Sequence, residues 1–144
     1  MSKKSLVLVI LQFSCFAFFV LNGGLFANGT LFFLQIIGLV IGLWGILAMK
    51  LGNINIQPEV KQNAVFVSHG PYNLIRNPMY SGLLFFFVIS IIANFNYLRL
   101  SIFILLTVVF VLKIILEEQY LTERFEKEYL EYKKKTFRLI PFVF

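Results

Sequence analysis

Two short clusters of polar and rigid residues interrupt an otherwise apolar chain, and both hold side chains capable of chemistry. The first is SHGPYNLIRNPMY at 68–80, with the single His, His69, two of the four Pro, two of the six Tyr, and Arg76. An apolar run follows it directly. The second is Lys113, Glu117 and Glu118, at the close of another apolar run. Asn77 before Pro78 marks a helix start, with Asn at the capping position and Pro where a missing N–H costs nothing. The backbone donors at such a start, with Arg76 beside them, suit an anionic group, and the faces of Tyr72 and Tyr80 could stack on a base or a cation. A carboxylate fixed at the membrane edge can accept hydrogen bonds from a ribose diol or an ammonium group. A ligand carrying both kinds of group would engage both clusters. Each cluster also has a purely structural reading. Gly70 and Pro71 make a turn, the tyrosines are interfacial, the two carboxylates are solvated, and Lys113 pairs with Glu117 or snorkels.

The elements that must position these residues are membrane helices. Hydrophobic residues make up 59% of the 144-residue chain and charged residues only 14%, far from soluble averages. Four apolar runs, about 5–21, 31–49, 79–93 and 98–116, would reach roughly 22–29 Å as helices, close to the ~30 Å hydrocarbon core. The run at 5–21 follows Lys3 and Lys4, but it exceeds the apolar length of a signal peptide and reads as a span. Between the second and third spans lies a loop at about 50–78. After 116 the chain changes character: 117–135 holds six of the seven acidic residues and five basic ones, with Leu121, Phe125, Tyr129 and Tyr132 at near-helical spacing. This predicts an amphipathic helix along the cytoplasmic surface, with Lys133, Lys134 and Lys135 near lipid headgroups. The fold class expected is therefore all-α: a single membrane domain of four transmembrane helices plus a C-terminal cytoplasmic amphipathic helix.

Charge distribution sets the expected orientation. Lys3, Lys4, Lys50, Lys61 and Arg76 fall on one side with the C-terminal segment, whereas the connections at 22–30 and 94–97 contain no Lys or Arg. Both termini should be cytoplasmic. The net charge of +6 accordingly reads as membrane-facing, with lipids as partners and no nucleic acid. Cys15 is the one cysteine, which excludes an intramolecular disulfide, and no metal site is expected. Asn28, Gly29 and Thr30 form a formal glycosylation triplet on the outer side. Gly38, Gly42 and Gly45 give the second span a smooth strip for close helix approach. No Asp, Glu or His lies within the four spans, which argues against a proton-coupled exporter. The two chemical clusters would meet if the third and fourth spans, joined by the short 94–97 connection, pack as an antiparallel hairpin.

In combination these blocks resemble a known family. Gly70, Pro71 and Tyr72, then Arg76 to Tyr80, then Glu117 and Glu118, then FEKEYLEYKK at 125–134, closing on Arg138, Leu139, Ile140 and Pro141, are similar to the membrane methyltransferases of the isoprenylcysteine carboxyl methyltransferase type. The phospholipid methyltransferases are related to these. The resemblance covers about the last ninety residues. It implies S-adenosyl-L-methionine as cofactor, held by Gln57, by the backbone of Ala64, Val65, Phe66 and Val67, by Tyr72, by Asn77, Pro78, Met79 and Tyr80, and by Glu117. The methyl acceptor would be a lipophilic or lipid-linked molecule, as in carboxyl methylation of an isoprenylcysteine-like substrate. Lys113 and Arg76 would bind it, with Lys113 and Glu118 as the catalytic groups. An ionised carboxylate needs no base, so Lys113 would orient it; an amine acceptor must lose a proton, which Glu118 would take. The family usually has Arg where this chain has Lys113, and His where it has Asn77. Asn77 cannot ionise, and Lys113 keeps the charge without the bidentate fork. A steroid-reductase-type enzyme using NADPH would show more Arg near the cofactor phosphates. A small transporter or accessory subunit is the non-enzymatic alternative.

Overall fold

A computed structural model describes residues 2–49, 58–59 and 65–143. Gln57 and Ala64 lie outside the described residues, with the rest of 50–57 and 60–64 of the loop expected at 50–78. Among the described residues four α-helices follow one another: α1 (Lys3–Leu21), α2 (Thr30–Met49), α3 (Pro78–Ala93) and α4 (Tyr97–Lys135), with a short 3-10 turn at Gly70–Asn73 ahead of α3. Among the described residues there is no strand, only an isolated parallel bridge between Ile75 and Phe137. Helices α1, α2 and α4 are each long and apolar enough to cross a membrane, and α3 is a shorter apolar helix. The chain is a multi-pass membrane protein. Caps are local: Ser2 accepts from the Ser5 N–H at 3.1 Å, and Asn96 accepts from the Leu98 N–H at 2.8 Å, each satisfying an orphan donor of a first turn.

Packing between the helices departs from the expected hairpin of the third and fourth spans. Helix α3 packs chiefly against α2, while α1 pairs with α4. The physical reason lies in the glycines. A methyl group built on Gly82 would fall 2.5 Å from the Gly38 carbonyl oxygen and 2.6 Å from the Gly42 nitrogen, so the backbones of α2 and α3 touch where no side chain intervenes. Cys15 and Phe19 of α1, Phe86, Phe87 and Ile91 of α3, and Leu106 and Phe110 of α4 fill the centre. At the end of the bundle where α3 meets α4, Arg99 is 3% exposed. Its guanidinium donates to the carbonyls of Gly23 and Gly24 and to Ser90 Oγ and lies over the Phe19 ring, tying the α1–α2 connection to α1, α3 and α4.

Helix α4 is 39 residues long, about 58 Å at the α-helical rise, roughly twice the hydrocarbon thickness. Its second half must therefore leave the bilayer or change direction. It does so at Glu126, whose φ of 42° and ψ of −116° break the helix. A non-glycine residue held there is strained, and such strain persists only where surrounding contacts over-determine the path. Here Tyr129 is buried, Phe66 packs against Phe125, Tyr129 and Tyr132, and Tyr132 Oη donates to the Tyr72 carbonyl at 2.6 Å.

Candidate functional site

The start of α3 is held in place from below by the C-terminal segment. Pro78 occupies the first helical position after Asn77. The Asn77 side chain does not cap the helix as its position suggests; it donates to the Arg138 carbonyl at 3.0 Å. Ser81 Oγ donates to the Leu139 carbonyl at 2.6 Å, and the backbone bonds Arg76 N–H to Phe137 O (2.8 Å) and Phe137 N–H to Leu74 O (2.9 Å) complete the junction. With Asn77 turned away, the backbone N–H groups of Met79 and Tyr80 have no acceptor among the described residues. Two donors at a helix start are thereby left open for an anionic group.

Glu117 and Glu118 are about 100° apart around α4 and serve different neighbourhoods. Glu118 is 4% exposed and surrounded by cations: Arg76 Nε at 2.9 Å, Arg138 at 2.9 Å and Lys133 at 3.4 Å. Arg76 also donates to the carbonyls of Lys133 and Thr136. Arg76 and Glu118, separately expected to bind substrate and to take a proton, thus face each other. Burying a carboxylate is costly unless it is paired and hydrogen-bonded, and this one has three positive partners.

Glu117 lies on the other side, partly exposed, with Tyr80 Oη 3.5 Å from its Oε2. The Tyr80 ring packs on Phe110 and lies beneath Lys113, whose Nζ is 5.6 Å from the ring centroid. Lys113 is 1% exposed and donates to Gln12 Oε1 of α1. Tyr72 is buried beside this group. Burial first, then the charge of Glu117 and the neighbouring Tyr132, push its phenol above the ordinary tyrosine range, so it stands as a neutral hydroxyl.

The structure therefore brings Tyr72, Tyr80, Lys113 and Glu117 together at the mouth of α3, with Met79 half-buried alongside and Pro78 packed near Gly45. Val65 is exposed, and Phe66 and Val67 are half-buried on the way to the Gly70–Asn73 turn. His69 is exposed at the start of that turn and makes no side-chain cap. The 26–128 segment matches the model of the family described as phospholipid methyltransferase. The chain belongs to that family. It is also 36% identical over 89 residues to the Protein-S-isoprenylcysteine O-methyltransferase of Saccharomyces cerevisiae, a match covering 61% of this chain and 37% of the yeast protein. The chain thus spans little more than a third of that relative.

Sequence reasoning gave Ser81 no part in the site, placed Lys133 at the lipid headgroups and quoted Arg138 only within the closing block of the resemblance. Their contacts, Lys133 and Arg138 with Glu118 and Ser81 with the Leu139 carbonyl, lie 15 to 58 positions away in the chain, which no local pattern encodes. Gln12 did carry a signal: an amide in the middle of an apolar helix must find a partner.

Proposed function

We propose that this chain is a membrane methyltransferase that uses S-adenosylmethionine to methylate a lipophilic or lipid-linked acceptor at the cytoplasmic face. The observation that carries the reading is the junction at the start of α3, where the open N–H groups of Met79 and Tyr80 adjoin Tyr72 and the Glu117 carboxylate. This donor and acceptor set fits a ligand with an anionic amino-acid end and a diol or cationic part. Gln57, the 64–67 backbone, Tyr72, Asn77 to Tyr80 and Glu117 would hold it. When bound, S-adenosylmethionine supplies a methyl already activated on a sulfonium; its transfer to a carboxylate oxygen leaves a thioether and an ester, with no proton to place.

The chain's residues mainly align and exclude water. Lys113, held over Tyr80 beside Gln12, orients the acceptor. Arg76 and Glu118 position: by engaging each other and the C-terminal segment they fix the turn that begins α3. A carboxylate with three cationic partners is a weak proton acceptor, which favours an acceptor that needs no base. In this reading α3 completes a single domain of four spans with both termini cytoplasmic, and the second part of α4 lies along the surface with Lys133, Lys134 and Lys135 at the headgroups.

The test is ligand binding by the detergent-purified protein. S-adenosylhomocysteine should raise its melting temperature, NADPH should not, and Glu117→Ala should remove the response. No shift with millimolar S-adenosylhomocysteine would overturn the proposal.

A further inference from the structure

The last described residues, 137–143, form a turn that is held to the start of α3 and yet leaves its apolar side chains uncovered. Ser81, the fourth residue of α3, donates to the Leu139 carbonyl at 2.6 Å, and Asn77 donates to that of Arg138 at 3.0 Å. Ser81 lies about 5 Å along α3 from its first residue, so the turn sits level with the first turn of an apolar helix. Leu139 is buried, but Ile140, Phe142 and Val143 are exposed, Phe142 to 84%. The turn closes through the Val143 N–H on the Ile140 carbonyl and holds Phe142 at a φ of 64°, a conformation that large side chains rarely adopt. Within the protein the Phe142 ring meets the Phe137 ring. Three large apolar side chains displayed together, one of them on a strained backbone, are costly against water and favoured against hydrocarbon.

A cationic surface precedes this turn. Between 127 and 138 there are five cations and two carboxylates. Lys133 and Arg138 turn inward to Glu118, whereas Lys127, Lys134 and Lys135 are exposed. Lys127, Leu130, Glu131, Lys133 and Lys134 line a shallow cavity of about 530 Å³, in which Glu131 pairs with Lys134 and the other two lysines leave the balance positive. An apolar wedge next to lysines is the combination that engages the boundary between acyl chains and anionic headgroups. We propose that the 140–143 turn inserts into the bilayer edge beside α3, and that Lys127, Lys134 and Lys135 hold anionic phospholipid headgroups there. The C-terminal segment is then a dock whose strength depends on lipid charge. This needs only that α3 begins at the bilayer edge, and it is independent of methyl transfer. Its consequence reaches the site, because the docked segment is the one that takes the Asn77 and Ser81 side chains and the Arg76 N–H.

The experiment uses the full chain with Val143→Cys, labelled with a nitroxide, in nanodiscs of phosphatidylcholine with or without phosphatidylglycerol. Cys15 is 3% exposed, so the label falls on position 143. Electron paramagnetic resonance compares collisions of the label with oxygen, which enters acyl chains, and with a neutral nickel chelate, which stays in water. With phosphatidylglycerol the label should meet oxygen and be shielded from the chelate. Without it the ratio of docked to free segment should fall about fivefold for each lysine at the surface. Lys134→Gln with Lys135→Gln should remove most of that lipid dependence, as should high salt, and Phe142→Ser should reduce the shielding in both lipids. All three substitutions fall at exposed positions, so the fold survives them. A label equally open to the chelate in both discs would overturn the proposal. So would shielding that neither phosphatidylglycerol nor the lysine substitutions alter, since the lysines would then hold no headgroups.

Discussion

Replacing Gly82 with alanine would place a methyl carbon 2.5 Å from the Gly38 carbonyl oxygen and 2.6 Å from the Gly42 nitrogen. Both are backbone atoms of α2, so no side-chain rotation relieves the contact. Restoring ordinary separations requires α2 and α3 to part by about 1 Å, a gap that forfeits a quarter to a half of the dispersion energy of the atoms lining it. Overpacking of this kind typically costs 1–3 kcal/mol, and a contact between two backbones falls at the upper end, about 3 kcal/mol. For a chain of this size that corresponds to a drop of roughly 6–12 °C in melting temperature. Gly42→Ala is the control, because a methyl there would meet nothing nearer than the Met79 carbonyl oxygen at 3.9 Å, an ordinary contact. Thermal unfolding of both variants in the same detergent is the assay, with S-adenosylhomocysteine titration alongside. Parting the helices also displaces Pro78 and Met79, which pack against Gly45, so Gly82→Ala should weaken ligand binding as well. A Gly82→Ala protein that melts within about 2 °C of Gly42→Ala would refute the close-contact account of the α2–α3 seam.

Two further outcomes follow from the site. Glu118→Ala leaves Arg76 and Arg138 without their shared carboxylate, which should cost about 3 kcal/mol and release the C-terminal segment; limited trypsin digestion should then cut after Arg138 in the variant and not in wild type. The raised pKa of Tyr72 means the folded protein keeps a proton that the unfolded chain releases near pH 10. Its contribution is therefore fully present below that pH and is lost as pH rises above it. Denaturant unfolding at pH 9 and pH 11 should show a smaller fall in stability for Tyr72→Phe than for wild type.

Much of the architecture could be read in the chain itself, because membrane helices are specified by long apolar runs whose backbone bonds close within each segment. The expected run at 79–93 begins within one residue of α3, and that at 31–49 within one residue of α2. The start of α3 was legible from Asn77 and Pro78, since proline at a first helical position is a local rule. Gly38, Gly42 and Gly45 marked a face of close approach, but not which helix would occupy it.

What the sequence by itself determined, then, is where the four apolar helices lie; the run of α4 unbroken past 116 to its break at Glu126, the helix partners and the pairing of charges were decided by the tertiary structure. The short connection at 94–97 suggested α3 against α4, yet Gly82 lets α3 press its backbone onto α2. Arg76 and Glu118, 42 positions apart, form a pair because the C-terminal segment folds beneath both, and Asn77 gives up its cap to bind that same segment. Gln12 reaches Lys113 across 101 positions. Helix formation depends on neighbours along the chain, whereas a buried charge or amide must take whichever partner the packed bundle brings within hydrogen-bond reach.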